Sequence, residues 1–500
     1  MKEILYNKWK NDIVLGDREP VRPDVIKFRY SDIAIRILNK HIRNKSNIVV
    51  HCDVDMDGIA SGYIFKKFLI YNGARNNLFI INKEKEHGIK GRHVEFVNSI
   101  GADLMVVLDS SCNELDLIKE LKCDVIVIDH HEILHDMLYI QQGNLEKVII
   151  TNMVDSDGYK SDDRMSCGLV VYELLRYYSQ EYRDVVFDNL MLEQWVGVSL
   201  FSDVVQLAND RNQWYIWNTV DRPQLESSLS VILGEVNKYK GTLDKSLINY
   251  TIVPLINRAI RAGKSNEALD IILNKPYEIN KLLVYKAEQD RILKMFDERK
   301  YEGDYILEDI TNLGVSSNYC GVIASSLSGK HNKNTAVFVR EGEVVSGSFR
   351  GVGILDYRGI FEGYGVYAQG HKQAFGFKLR EDELYKVFDY INKIDRVKYR
   401  PYLTCGSVER GLGEYHIDDL DMFRREGLVW KLGLANSRVS TQEHVEIICK
   451  LDDIKFKGQN GKVFLYDVFG LEGKSFKTLK STYISIYMEY SYNNINIYLK

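Results

Sequence analysis

Three aspartates fall at alternate positions in His51-Cys52-Asp53-Val54-Asp55-Met56-Asp57-Gly58. Carboxylates this close repel one another unless protons or cations neutralise them. Hard divalent cations favour carboxylate oxygen, and imidazole is a frequent partner for Mn²⁺. The segment therefore reads as a candidate cation site, with a solvated acidic turn as the simpler alternative. Gly58 permits a tight turn into whatever follows. Calcium binding of the EF-hand kind is excluded, because that loop needs Glu at its twelfth position and counting from Asp53 gives Ile64. Asp109 precedes Ser110-Ser111, Asp129-His130-His131 follows an apolar run, and Asp203 sits in the segment Val196 to Leu207. Converged in one domain, these groups suit two metal ions about 3.5–4 Å apart, an arrangement for hydrolysing phosphodiesters.

The elements that must position them are legible as apolar runs. Ile48–Cys52, Leu104–Leu108, Asp124–Ile128 and Val148–Ile150 read as strands, and 59–71 as a helix. Near-continuous apolar strands alternating with helices predict a parallel sheet covered on both faces. The polar residues lie just past the strand ends, the edge at which open α/β sheets bind ligands. Residues 221–305 read as helical. Residues 306–395 are mixed, with glycine-rich turns, and short β runs dominate from about 402.

At this point the chain resembles the DHH phosphoesterase superfamily, with Asp129-His130-His131 as the signature. His51 to Gly58 resembles the first motif of that superfamily, Asp109 the second and Asp203 the fourth. Within it, three stretches are similar to RecJ-type single-strand exonucleases. Gly197 to Arg211 resembles one motif, with Gln206 in place of a proline and Asp210-Arg211 in place of Asn-Arg. Pro254 to Arg261 resembles the connector-helix motif, matching at Pro254, Asn257, Ala259 and Arg261. Gly347-Ser348-Phe349-Arg350 and Gly370 to Gly376 resemble two motifs of the DHH-associated domain, with Gln369 where the family has a glycine.

The resemblance implies an α/β fold of four parts: a parallel-sheet catalytic domain (1–220), a helical connector (221–305), a smaller α/β DHH-associated domain (306–400) and a β-rich, OB-like C-terminal domain (401–500). It implies two Mn²⁺ or Mg²⁺ ions among His51, Asp55, Asp57, Asp109, His130 and Asp203, with Asp109 as the bridge. Asp53 and Asp129 would orient ligands from behind. His131 would orient His130 or touch the scissile phosphate. Arg350 and Ser348 would take the terminal phosphate, Gly370 and His371 the scissile phosphate, and Arg261 the DNA backbone. A guanidinium fork matches phosphate oxygens. Tail aromatics such as Phe464, Tyr466, Phe469, Tyr483 and Tyr487 would stack bases or fill a barrel core. The implied activity is 5′→3′ hydrolysis of single-stranded DNA, with a helicase or single-strand-binding protein as a compatible partner. Two rivals stand beside it: a phosphodiesterase of oligoribonucleotides or cyclic dinucleotides, and a non-catalytic replication scaffold.

Composition is consistent with this. The chain has 500 residues, 45% hydrophobic and 27% charged, the balance of a soluble globular protein of two to four domains. No run of about 18 apolar residues suggests a membrane span, and the first nine residues lack the apolar core of a signal peptide. The seven cysteines are scattered without a CxxC pair, which suggests reduced thiols in a cytosol; the resemblance implies a monomer in the cytoplasm of a bacterial or phage-infected cell. Cys167 reads as a buried thiol. The net charge of −4 argues weakly against a nucleic-acid substrate, since part of the acidity belongs to the metal site.

Overall fold

The computed structural model describes residues 21–83, 86–154, 165–182, 191–203, 205, 210–220, 222–236, 243, 247–352 and 356–398. It also describes five short strand segments between 444 and 499. The chain forms two compact units, one of Met1–Lys281 with Tyr402–Lys500 and one of Leu282–Pro401.

The first unit is built on a six-stranded sheet of order β2-β1-β3-β4-β6-β5. Its strands are β1 (Ile48–Cys52), β2 (Asn77–Ile81), β3 (Leu104–Leu108), β4 (Asp124–Asp129), β5 (Tyr139–Gln142) and β6 (Leu145–Thr151). All neighbours are parallel except the β5–β6 hairpin at one edge. β1 and β3 are buried at every position, as strands covered on both faces must be. One face presents Val49, Met105, Val107, Val125, Val127 and Ile149 to a core completed by Val94, Val97, Ile118 and Leu121. The last four come from α3 (Gly91–Ser99), α4 (Leu115–Glu120) and the residue after it. Elsewhere in this unit α2 (Met56–Tyr71), α5 (Cys167–Tyr182) and α6 (Glu193–Ser202) pack on one another, and α1 (Ser31–Arg43) packs on α5. α2 is buried at every position from Met56 to Phe65.

Leaving β1, the chain goes first to β2 on one side and only then to β3 on the other. The order therefore reverses between β1 and β3, the point at which such sheets bind ligands. Cys52 is level with Leu108, and Leu108 with Ile128. The ladder runs one residue further, because Asp53 N–H donates to Leu108 O (3.2 Å) and Asp109 N–H to Ile128 O (2.9 Å). Backbone pairing thus sets Asp53, Asp109 and Asp129 side by side at one edge.

Lys147 on β6 is 1 % exposed. Its Nζ donates to the carbonyl oxygens of Ile118, Lys119 and Leu121 at 2.7, 2.8 and 2.8 Å. These carbonyls close α4, where helical partners run out. Replacing Lys147 with Met strands them in the core and is expected to lower stability by about 2–4 kcal/mol. Urea denaturation followed by circular dichroism measures this, and an unchanged midpoint would refute it.

Three further helices belong to this unit: α7 (Asp210–Thr219), α8 (Ser227–Val236) and α9 (Val253–Arg261), the last continuing from a π-turn at Ile248–Ile252. α10 (Ser265–Asn274) follows and packs against α2. In the tail, His444–Lys450, Tyr483–Ser491 and Asn494–Leu499 form a three-stranded antiparallel sheet. Phe464, Tyr466 and Phe469 lie outside the described residues, as do the side chains of Tyr483 and Tyr487.

The second unit holds a five-stranded sheet of order β10-β11-β9-β8-β7. Its strands are β7 (Tyr305–Asp309), β8 (Asn334–Glu341), β9 (Val344–Arg350), β10 (Tyr367–His371) and β11 (Ala374–Arg380). Only β7–β8 is parallel. Ile292, at the end of α11 (Leu283–Lys294), and Phe296 just beyond it pack with Ile306, Ile310 and Ile323. This contact draws 282–305, read from sequence with the helical connector, into the unit. The other helices are α12 (Cys320–His331), α13 (Tyr357–Gly363) and α14 (Glu381–Lys398). No helix among the described residues is long and apolar enough to cross a membrane.

Candidate metal centre

Asp55 caps α2, its Oδ1 accepting the Gly58 N–H at 3.0 Å. Gly58 is needed here for a different reason from the one the sequence suggests. It has no positive φ, but a Cβ would stand 2.7 Å from both N and O of Asp53. The glycine lets the first turn of α2 press against the end of β1.

Asp57, one turn in, is buried. It accepts the N–H groups of Cys167 (2.8 Å) and Gly168 (3.0 Å), which begin α5, and the Ser199 hydroxyl (2.5 Å). A carboxylate at a helix N-terminus meets unsatisfied donors and a favourable dipole. Burial still dominates and, with the Asp55 charge, raises its pKa against the attraction of His130 and these donors. Asp109 is buried, has φ 68° and leaves Oδ1 without a hydrogen-bond partner. Burial and then the charges of Asp57 and Asp55 push its pKa well up. Asp203 is driven by burial, then by Asp57 and Asp55, up to about 7 despite His130.

His130 joins these carboxylates. Its Nδ1 lies 2.9 Å from Met165 O, as expected of an N–H donor. Nε2 then faces Asp109 Oδ1 at 3.3 Å and Asp57 Oδ2 at 3.9 Å, while Asp203 Oδ2 is 3.6 Å from Nδ1. An imidazole whose second nitrogen is held by a carbonyl is the usual arrangement of a metal-ligating histidine. Asp129 is the organiser behind it, accepting N–H bonds from His130, His131 and Cys112 and the His131 Nδ1 at 2.7 Å. Burial alone would raise the Asp129 carboxyl; the histidines and these donors outweigh it and hold it low. Asp129 in turn raises His131 to about 10 against the effect of burial.

Among the described residues three groups have ligand atoms within 4.8 Å of one another: Asp109, His130 and His131; Asp57, His130 and Asp203; Asp53, Asp55 and Asp109. Asp109 and His130 are each shared by two groups. The unpartnered Asp109 oxygen and a donor set of hard oxygens with imidazole fit divalent cations of the Mn²⁺ or Mg²⁺ kind.

His51 lies outside these groups. It sits one pleat below Asp53, fully buried, with both ring nitrogens unpartnered and its ring 5.0 Å from that of His93. Burial, then the charges of His93, Lys90 and Arg92, pushes its pKa down to about 3, so the imidazole is neutral. Asp53 accepts the Gly88 N–H at 3.0 Å and pairs with His87 Nδ1 at 2.5 Å. The sequence does not single out His87, Ser199 or the Met165 carbonyl, although Ser199 falls within the Gly197–Arg211 motif. Cys167 is a buried thiol, its pKa driven up by its surroundings.

Of the remaining sequence candidates, Arg261 ends α9 and belongs to none of the three groups. Ser348 and Arg350 lie on β9 in the second unit. Arg350 donates through Nε to Ser325 Oγ (2.9 Å) and through Nη1 to Phe349 O (2.7 Å). At the start of α12, a Cβ on Gly321 would lie 3.0 Å from Arg350 Nη2 and 3.4 Å from Ser348 Oγ. That helix start and both side chains thus form one cradle. Gly370 has φ 132° and passes so close to β11 that a Cβ would be 2.8 Å from Ala374 O. His371 ends β10, and its side chain lies outside the described residues.

Residues 47–194 match the DHH family, N-terminal domain. These residues are a DHH domain. The SPbeta prophage protein YorK of Bacillus subtilis (strain 168), provisionally named a single-strand DNA-specific exonuclease, is 24% identical over 421 residues, covering 73% of this chain and 69% of YorK. The single-stranded-DNA-specific exonuclease RecJ of the same organism is 21% identical over 385 residues, 71% of this chain and 46% of that one. RecJ from Thermus thermophilus, solved with Mn²⁺, matches the fold with a TM-score of 0.65 at 16% identity, covering 96% of this chain and 72% of that one. Exonuclease RecJ bound to manganese matches with 0.56 at 19%, over 76% and 97%. The RecJ-like fold and the parallel sheet expected from the sequence are therefore present, and the DHH domain carries the acidic cluster apart from Asp203.

The Ser199 hydroxyl on Asp57 gives a direct check of the centre. Ser199→Ala removes a hydrogen bond to the charged form of Asp57. It is expected to weaken Mn²⁺ binding by about 10–100-fold, read by calorimetry. Unchanged affinity would place Asp57 outside the centre.

Proposed function

We propose that this chain is a metal-dependent exonuclease that hydrolyses phosphodiester bonds of single-stranded DNA in the 5′→3′ direction. The observation that carries the reading is the sharing of Asp109 and His130 among the ligand groups at the carboxyl edge of the sheet. Two Mn²⁺ or Mg²⁺ ions held there would activate water and neutralise charge on the phosphate. Asp55, Asp57, Asp109, His130 and Asp203 are the proposed ligands, with Asp109 between the two ions and the neutral His51 imidazole as a further donor below them.

The protein's own groups do the rest. Asp129 fixes the orientation of both histidines. His131, half-exposed and favoured in its protonated form by Asp129, would offer its other N–H to a phosphate oxygen, and charge-assisted bonds of this kind are the stronger ones. On the second unit, Arg350 and Ser348 are the residues proposed for the terminal phosphate, and Gly370 with His371 those proposed for the scissile one. Arg261 contacts the strand's backbone. A role in DNA repair or recombination in a bacterial or phage-infected cytoplasm, acting as a monomer beside a helicase or single-strand-binding protein, belongs to the same reading. The names of YorK and RecJ support it.

Incubation with 5′- and 3′-labelled single-stranded DNA and RNA, with and without Mn²⁺, tests it. Mononucleotide release from the 5′ end of DNA, dependent on Mn²⁺, is the expected result. Turnover confined to RNA dinucleotides would overturn it in favour of a small-substrate phosphodiesterase, and no turnover with any substrate in favour of a scaffold.

A further inference from the structure

The hairpin tip that carries His371 is anchored from outside the hairpin. Lys372 and Gln373 join β10 to β11, between the paired residues His371 and Ala374. A two-residue tip on a protein surface ordinarily turns its carbonyls to water. Here three of the four carbonyls from Gly370 to Gln373 accept donors from elsewhere in the unit. Arg358, the second residue of α13, donates its N–H to Lys372 O (3.0 Å) and its Nη1 to Gly370 O (2.8 Å). Its Nε faces Glu362 Oε1, one turn on, at 3.4 Å. Gly351, the residue after Arg350, donates its N–H to Gln373 O (2.8 Å).

Register sets the height of this tip. His371 pairs with Ala374, and Ala374 with Arg350. His371 therefore stands level with Arg350, two strand spacings or about 10 Å away. Arg358 belongs to the other side of the sheet. Phe349 and Phe375 pack with Tyr357 and Phe361 of α13. Successive residues of a strand alternate between faces, so Arg350 and Ala374 lie on the face away from α13. Arg358, coming from the α13 side, meets the tip through its backbone alone.

We propose that Arg358 is a positioning residue for hydrolysis: it fixes the Gly370–Gln373 tip so that His371 is held at a set height beside Arg350. The proposal rests on the nuclease reading above, in which these two residues take the scissile and terminal phosphates of one strand. Gly370 has φ 132°, far from the range of a regular strand. A peptide so placed keeps one orientation only if its carbonyl is held, and the next residue, His371, follows that orientation.

The test uses the full chain with Mn²⁺ and a 5′-labelled single strand. Arg358→Met keeps the bulk of the side chain and the backbone N–H but removes the bond to Gly370 O. It is expected to lower kcat about 10- to 100-fold, with affinity for the strand, read by fluorescence anisotropy in EDTA, changed by less than about threefold. Arg358→Lys, whose ammonium can still reach one carbonyl, should recover part of the rate. A double-mutant cycle then separates positioning from support of the fold. In a His371→Ala background Arg358→Met should cost nothing further, because its effect passes through His371. The cycle is read in the same way if the single variants melt below the parent. An equal cost in both backgrounds, or a parental kcat in either Arg358→Met or His371→Ala, overturns the proposal and leaves the nuclease reading standing. If the parent releases no nucleotide from any strand, the nuclease reading fails and takes this proposal with it.

Discussion

Asp109→Asn is expected to cut hydrolysis of single-stranded DNA by about 10³-fold or more, in a protein that melts no lower than the parent in metal-free buffer. The two halves have one cause. Asp109 holds a buried carboxylate with an oxygen that no protein donor reaches, in a left-handed conformation that only glycine, asparagine and aspartate adopt readily. Among the described residues the nitrogen facing it is His130 Nε2, 3.3 Å from Oδ1 and without the proton that Nδ1 holds toward Met165 O, while Asp57 and Asp55 oppose its charge. A group so placed costs stability and is retained for what it binds. Asparagine keeps the shape and tolerates the same φ, but removes the charge. The metal-free variant should therefore gain stability while losing the response to Mn²⁺. Nucleotide release from labelled DNA gives the first result, and thermal melting with and without Mn²⁺ the second. Hydrolysis within tenfold of the parent would remove Asp109 from the centre.

The same residue shows what a sequence reveals and what it hides. Apolar runs ending in Asp53, Asp109 and Asp129 reveal strands, because burial on both faces demands such runs and the carboxyl edge tolerates charge. The groups that hold those carboxylates are hidden. Ser199 lies 142 positions from Asp57 and His87 34 from Asp53; the first falls inside the Gly197–Arg211 motif without being marked as a partner of Asp57, and the second falls in no motif. His51 lies in the same acidic motif, and the strand's period of two sets it on the side of Asp53, one pleat below the edge and against His93. Lys147 stands just before the run Val148–Ile150, and only the fold shows it to be a buried cap on the carbonyls that end α4. At 282–305 the helix covers Leu283–Lys294 alone, and only packing through Ile292 and Phe296 reveals which unit it joins.

Adding Mn²⁺ to the metal-free chain is expected to raise its melting temperature more at pH 8 than at pH 5.5. Asp57, Asp109 and Asp203 all titrate above their ordinary range, Asp203 at about 7. An unfolded aspartate titrates near 3.9. A carboxyl raised on folding binds its proton more tightly when folded, so its contribution is fully present below about pH 4 and is lost as pH rises through the folded value. The metal-free protein therefore weakens from about pH 4 to beyond 7. His131, raised to about 10, adds in the same direction from about pH 6.5 upward, discounted because half its surface meets water. Cations compete with protons for the carboxylates, so binding is strongest where the metal-free chain is weakest. At a concentration one hundred times the dissociation constant, a bound ion stabilises by about 2.7 kcal/mol, a rise of roughly 5 °C for a unit of this size. At pH 5.5 the rise should be less than half as large, because Asp203 is then mostly protonated. Differential scanning fluorimetry across pH, with Mn²⁺ or EDTA, reads both trends. Asp203→Asn separates the centre from His131, since it should flatten the slope between pH 5.5 and 7 and leave the alkaline limb. A Mn²⁺ shift equal at both pH values, or one that survives in Asp109→Asn, would place the metal somewhere other than this cluster.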